Sequence, residues 1–197
     1  MQVCTCMKET SRKILDAAIR VFARDGVAGA TTREIARTAR VNEVTLFRYF
    51  KNKNELLRRV VIRCSERFEH IFTEAPFETR TDLRRTVLAY ATVYVAMLHE
   101  NEDFVRTFLG ELNRHPKLCR SLFIESAKPA RQKFIAYLQA AQKRRLVRRN
   151  LDVVTAADSL SGMLLAGVIR RPLTESAYRN EDYVKTCLEL FLKGIEP

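Results

Sequence analysis

Apolar residues recur along this chain at intervals of three and four, the spacing that lines up one face of an α-helix. The pattern predicts nine helices. The first runs from Ser11 to Arg24, with Ile14, Leu15, Ala18, Ile19, Val21 and Phe22 as its apolar stripe, and Gly26 and Gly29 close it. Two short helices follow, one capped by Thr31 and Thr32 and reaching Ala39, the other over Glu43 to Phe50. A longer amphipathic helix covers Lys53 to Thr73 and ends before Pro76. Further helices are expected over 81–99, 102–114, 116–145, 152–169 and 181–192, with Pro129 placed to kink or split the seventh and Pro172 between the last two. No segment alternates with the period of two that a strand would need.

The predicted fold class is therefore all-α: about nine helices, an N-terminal three-helix unit followed by a larger C-terminal helical unit. The expected boundaries are a disordered tail over 1–10, a three-helix domain over 11–55 and a larger helical domain over 56–197. With 197 residues, 47% of them hydrophobic, the chain can build a core without staples. Its five cysteines are scattered and odd in number, which does not suggest a disulfide framework. No unbroken apolar run reaches the roughly 18 to 20 residues of a membrane span, and the first ten residues lack the pattern of a signal peptide. A cytoplasmic location without membrane association is the expectation.

Charge narrows the reading. The chain carries a net +12, and residues 1–63 hold 14 Lys/Arg against 6 Asp/Glu, so a third of the chain carries two thirds of the excess. Such clustering is the footprint of a polyanion partner. The two short helices lie in this basic third. Ile35, Ala36 and Ala39 face inward from the first, Val41 fills the turn, and Leu46 and Phe50 face inward from the second, which is how a helix-turn-helix packs. The outward set is Asn42, Glu43, Val44, Thr45, Phe47, Arg48 and Tyr49, which mixes hydrogen-bonding groups, aromatics and one arginine suited to base edges. Lys51, Lys53 and Thr32 can meet phosphates, as can the amides of a helix N-terminus, and Thr31 and Arg33 complete the candidate DNA-binding surface.

Thr45-Leu46-Phe47-x-Tyr49-Phe50-x-Asn52-Lys53-x-x-Leu56, preceded by Val41 and starting about 30 residues in after one helix, resembles the TetR family of bacterial regulators. The family pattern there reads T-L-Y-x-[YH]-F-x-[NS]-K-x-x-L, and the likeness is specific over about Ser11 to Leu57. It implies that Thr32, Thr45, Tyr49 and Lys53 contact phosphates and that Glu43, Val44, Phe47 and Arg48 lie nearest the bases. Arg48 is the candidate for a bidentate fork to guanine O6 and N7. The sequence departs from the family pattern at Arg40, where a turn glycine is usual, and at Phe47, where a tyrosine is usual.

The resemblance also implies a ligand cavity among the middle helices. The candidates are Phe68, Phe72, Tyr90, Tyr94, Met97, Phe104, Phe108, Phe123, Phe134 and Tyr137, which suit an apolar or aromatic small-molecule effector. It further implies a homodimer through the last two helices, with Ala157, Leu160, Leu164, Val168, Val184, Cys187, Leu188 and Phe191 as the interface. Two copies would let two short reading helices meet half-sites about one turn of DNA apart or a multiple of it. The partners expected are thus an operator in double-stranded DNA, an effector and a second copy, with no cofactor and no metal.

The rival readings keep DNA binding and change the signal. Cys4-x-Cys6, or His115 with Cys119, would serve a thiol or metal sensor, and a filled core would serve a regulator controlled by a protein partner. Catalysis finds no phosphate loop, dinucleotide glycine motif, G-x-S-x-G or H-E-x-x-H, and His70, His99 and His115 lack sequence-near partners for it.

Overall fold

The structure is a computed structural model. It describes residues 2–74, 82–170 and 180–197, with side chains described for 9–65, 82–122, 124–170 and 181–197. Among the described residues there are nine α-helices and no strand: α1 (Gln2–Gly29), α2 (Thr32–Ala39), α3 (Glu43–Tyr49), α4 (Lys53–Glu74), α5 (Leu83–Glu100), α6 (Glu102–Glu111), α7 (Pro116–Lys143), α8 (Val153–Arg170) and α9 (Asn180–Ile195). Two expectations change. The helix of α1 starts at Gln2, so the stretch expected as a disordered tail is helical. Of the two alternatives at Pro129, the split is not found, since α7 is one helix through that residue.

The chain divides into two compact units. The first comprises 1–65 and 101–126, the second 66–100 and 127–197. The sequence pattern alone assigns everything after residue 55 to the second domain. The difference lies in α6 and the start of α7, whose Phe104 and Leu122 are buried with Ile14, Val21, Phe22, Ile35, Leu46 and Leu57 in one core. Thr107 Oγ1 adds a hydrogen bond to the Ala23 carbonyl of α1, and Arg58 of α4 forms a two-point ion pair with Glu125 of α7. Chain order conceals such a return, because a helix joins whichever core takes its apolar stripe.

In the first unit, α1 bends at Gly26, whose φ of 73° and ψ of 170° belong to a region nearly exclusive to glycine. Ala30 N then donates to the Gly26 carbonyl, turning the chain into α2. In the second unit α5 packs on α7, α8 and α9 around Val87, Tyr90, Phe134, Leu138, Leu160, Leu164 and Phe191, all buried. α8 is the one helix among the described residues long and apolar enough, by length and composition, to cross a membrane, and a third of that span is buried within the chain.

Candidate nucleic-acid interface

The α2–turn–α3 segment is set by local chemistry. Thr31, in an extended conformation, caps α2 by accepting a hydrogen bond from Glu34 N at 3.1 Å. α2 ends at Arg40, which takes the left-handed conformation (φ 57°, ψ 43°) where the family pattern has glycine. Its N–H donates to the Arg37 carbonyl and Val41 N to the Ala36 carbonyl, closing the turn with a non-glycine residue at a cost of about 1 kcal/mol. Asn42 then caps α3, its Oδ1 accepting from Val44 N at 2.9 Å. Leu46 and Phe50 are buried and fix the roll of α3 on the core.

That roll decides what α3 presents. Val44 is 69% exposed and Phe47 47%, both large for apolar side chains. Arg48 is exposed beside them and Asn42 precedes them, while Thr45 and Tyr49 are half-buried on the flanks. Apolar groups of this kind suit the methyl of thymine, and an arginine fork suits guanine. Tyr49 leans on Phe50 with ring centroids 6.4 Å apart, so its ring is part of the wall rather than a free arm.

Several expected phosphate-binding side chains are already engaged. Thr32 Oγ1 donates to Glu43 Oε1 at 2.6 Å. Arg33, which is exposed, lies 3.9 Å from the other oxygen of the same carboxylate. Glu43 therefore ties the start of α3 to the start of α2 instead of projecting toward bases. Lys53 Nζ donates to the carbonyls of Ala30 (2.9 Å) and Ala28 (3.3 Å) at the end of α1. Its ammonium serves the orphan carbonyls of a helix terminus. Lys51 remains exposed at the entrance to α4.

Other residues take part that the motif does not mark. Asn52 Oδ1 accepts from Glu55 N at 2.8 Å while Glu55 reaches back to Lys51 N at 3.0 Å, a reciprocal cap on α4 that fixes Lys51. The Asn-x-x-Glu spacing is a readable signal for it. Glu34 gathers Arg37, at 2.7 and 2.8 Å, and Arg24, at 3.1 Å. Hydrogen bonds from Arg37 and then Arg24 hold its carboxyl down at about 2. Nothing in the sequence marks Arg24, ten residues upstream, as a partner.

The described side chains among the expected effector residues belong to the cores of both units. Phe104 and Phe108 stack in the core of the first unit, centroids 6.0 Å apart. Tyr90, Phe134 and Tyr137 are buried in the second, with Tyr94 and Met97 packed against them. The side chains of Phe68, Phe72 and Phe123 lie outside the described residues. Tyr90 and Phe134 stack at 3.9 Å, and the Tyr90 hydroxyl shares a 2.7 Å hydrogen bond with Ser161. Burial pushes the Tyr90 phenol up to about 12. Tyr90, Phe134 and Tyr137 are part of the buried core of the second unit. An apolar groove of about 460 Å³ opens between Leu88, Thr92 and Val95 of α5 and Val184, Leu188 and Leu192 of α9, with Arg84, His99, Glu181 and Lys185 at its margins.

Most of the expected dimer residues are covered within one chain. Ala157, Leu160, Leu164, Val168, Cys187, Leu188 and Phe191 are all under 10% exposed within a single chain, and Val184 lines the groove. They form the chain's own core because the most apolar stripe of each helix is taken by the nearest neighbours. Of the cysteines, Cys119 and Cys187 are buried, and desolvation raises both thiols, away from the reactive thiolate. Cys64 is half-buried, and the side chains of Cys4 and Cys6 lie outside the described residues. No three His, Cys, Asp or Glu gather as a metal site among the described residues.

Comparison with known proteins places this geometry. Residues 14–60 match the family model for bacterial regulatory proteins of the tetR family, and residues 81–194 match that for the C-terminal domain of AefR-like transcriptional repressors. The HTH-type transcriptional regulator YvkB of Bacillus subtilis (strain 168) is 28% identical over 137 residues, covering 64% of this chain and 70% of YvkB. The HTH-type transcriptional regulator SrpR of Pseudomonas putida is 26% identical over 189 residues, covering 93% of this chain and 84% of SrpR. The fold is similar to that of the regulator FadR from Bacillus subtilis, solved in complex with stearoyl-CoA, with a TM-score of 0.81 at 21% identity, covering 94% of this chain and 99% of FadR.

Proposed function

The chain belongs to the TetR family of bacterial regulatory proteins, and on that premise we propose that it is a cytoplasmic, dimeric repressor released from its operator by a small, largely apolar ligand. It is a DNA-binding transcription regulator and not an enzyme. The observation that carries the DNA-binding reading is α3 itself: a capped, buried-side-anchored helix that leaves Val44, Phe47 and Arg48 exposed in a row. Thymine methyls against Val44 and Phe47 and a guanine under Arg48 would make up the half-site.

Two copies are favoured by the outer faces of α8 and α9. With the most apolar stripes buried, α8 still shows Val154, Gly162, Leu165, Ala166 and Ile169 on its more exposed side, and α9 shows Leu190 at 62% exposure. A helix apolar on more than one side needs a second partner. For the effector, the groove between α5 and α9 falls within the roughly 300–1,000 Å³ of ordinary ligand sites. FadR, alike in fold, was solved with stearoyl-CoA, so long-chain acyl-CoA is the first ligand class to try. Release follows if the ligand binds the operator-competent conformer less well than another, and by no more than that difference.

The test is binding to the DNA upstream of the protein's own gene, in a salt series, for wild type and Arg48→Ala. Sequence-specific binding that Arg48→Ala weakens by about 10- to 100-fold, the scale of one bidentate base contact, supports the reading. Addition of acyl-CoA should then release the DNA. Specific binding indifferent to Arg48→Ala would misplace the reading side chain, and a bound ligand that leaves operator affinity unchanged would end the release mechanism.

A further inference from the structure

The turn after α7 carries five cations in seven residues: Lys143, Arg144, Arg145, Arg148 and Arg149. All five are exposed, and none forms an ion pair or a side-chain hydrogen bond among the described residues. Two carboxylates close by along the chain or across the Arg148–Ile195 hydrogen bond form no ion pair with these cations. Asp152 caps α8, accepting from Val154 N and Thr155 Oγ1. Glu196, next to Ile195, makes no ion pair with them among the described residues.

The backbone beneath these charges is rigid. Gln142 Nε2 donates to the carbonyls of Arg148 (3.0 Å), Arg149 (3.3 Å) and Leu151 (2.9 Å), which fastens the turn from within. Arg148 N donates to the Ile195 carbonyl at 2.9 Å, which fastens it to α9. Val147 is fully buried as its anchor. Leu146 N donates to the Ala141 carbonyl and Arg145 N to the Gln142 carbonyl, a glycine-type helix ending with Arg145 at φ 64° in the glycine position. The favourable field at a helix C-terminus accounts for Lys143 and Arg144. It does not account for Arg148 and Arg149 beyond the helix, nor for an arginine where glycine would relieve strain. Like charges are thus held on a fixed backbone, and none of them is in an ion pair among the described residues.

From this we infer that the Lys143–Arg149 turn is a second, sequence-independent binding surface for the phosphates of double-stranded DNA, separate from the helix-turn-helix. The surface chemistry selects the partner. Arginines present fixed forks that match phosphate oxygens. The turn exposes no leucine or aromatic that would enter a lipid interface, since Val147 is buried and Leu146 half-buried. A protein interface of ordinary kind would carry an apolar centre, which is also lacking here.

The test uses the full chain carrying Arg48→Ala and Lys51→Ala, which weakens the helix-turn-helix surface, and a duplex of random sequence. On that background Arg144, Arg145, Arg148 and Arg149 are changed together to Gln, or together to Lys. The expected result is residual, salt-sensitive DNA binding that falls at least tenfold in the Gln protein and is kept in the Lys protein. The slope of log K against log salt should become shallower by about 0.9 for each phosphate that is no longer neutralised. Residual binding that the Gln changes leave intact, or no residual binding at all, overturns the inference. So does loss of binding to phosphatidylserine vesicles in the Gln protein with DNA binding unchanged, which would assign the turn to a lipid surface. The Lys protein and a thermal melt of the Gln protein separate an effect of charge from an effect on folding. Operator preference of the unsubstituted chain is measured beside these, so failure of the operator reading shows there and not in the turn.

Discussion

Glu43 shows how a residue on the reading helix can serve the scaffold. Its carboxylate holds Thr32 and faces Arg33, so it fixes the angle of α3 on α2. Replacing it by Ala should lower operator affinity without changing base preference, whereas Arg48→Ala should do both; binding to operators with single base changes distinguishes the two. Lys51 is the exposed cation at the end of this surface. Lys51→Ala should weaken all sequences alike and make the salt slope shallower by about 0.9, the share of one neutralised phosphate. The Glu34 cluster adds a pH dependence. Its folded-state pKa is lowered from 4.5 to about 2 by Arg37 and Arg24, so the stabilisation is complete above about pH 4.5 and is lost as pH falls toward 2. Because the carboxylate is only half-buried and its arginine partners are exposed, solvent screening keeps the effect modest. Acid titration of the melting temperature should show it, and Glu34→Gln should flatten the curve over that interval.

The helices depend on a few positions where only one residue size or backbone state fits. Tyr183 of α9 lies flat on Gly167 of α8, and its hydroxyl donates to the Met163 carbonyl at 2.6 Å. A Cβ at position 167 would stand 2.3 Å from the tyrosine ring. Gly167→Ala should therefore destabilise the α8–α9 pair by about 1–3 kcal/mol, the usual cost of overpacking, seen as a lower denaturant midpoint. Tyr183→Ala on the same background should recover part of that stability, because the clash goes with the ring. Burial of the Tyr90 phenol acts on α5 in the opposite pH range. Its pKa is raised from 10.0 to about 12, so the stability it lends is whole below pH 10 and is lost as pH rises through 12.

At the scale of the molecule, the two units have separate cores, and the dimer proposed here rests on surfaces of the second. Leu190, the most exposed large apolar residue of α9, is the sharpest probe. Leu190→Glu should shift sedimentation from dimer to monomer and weaken operator binding, since half-sites would be met one at a time. A Leu190→Glu protein that stays dimeric would move the interface elsewhere. The same substitution leaves the core untouched, so its thermal melt at high protein dilution should match that of wild type.

The sequence alone was enough to determine the helical class, the positions of most helices and the segment that reads DNA. Those follow from local rules: the 3.6-residue stripe, threonine and asparagine caps, and a motif whose inward residues are adjacent in the chain. Arg40 in the left-handed turn was foreseeable for the same reason. What tertiary structure decided depends on residues far apart. It sent α6 and the start of α7 to the core of the DNA-reading unit, tied Lys53 to the end of α1, and divided the aromatic set between two cores. It also turned the apolar stripes of α8 and α9 inward, leaving weaker apolar faces exposed. A periodic stripe states that a face will be buried, not against what, because the free energy of burial depends on area and is indifferent to which neighbour supplies it.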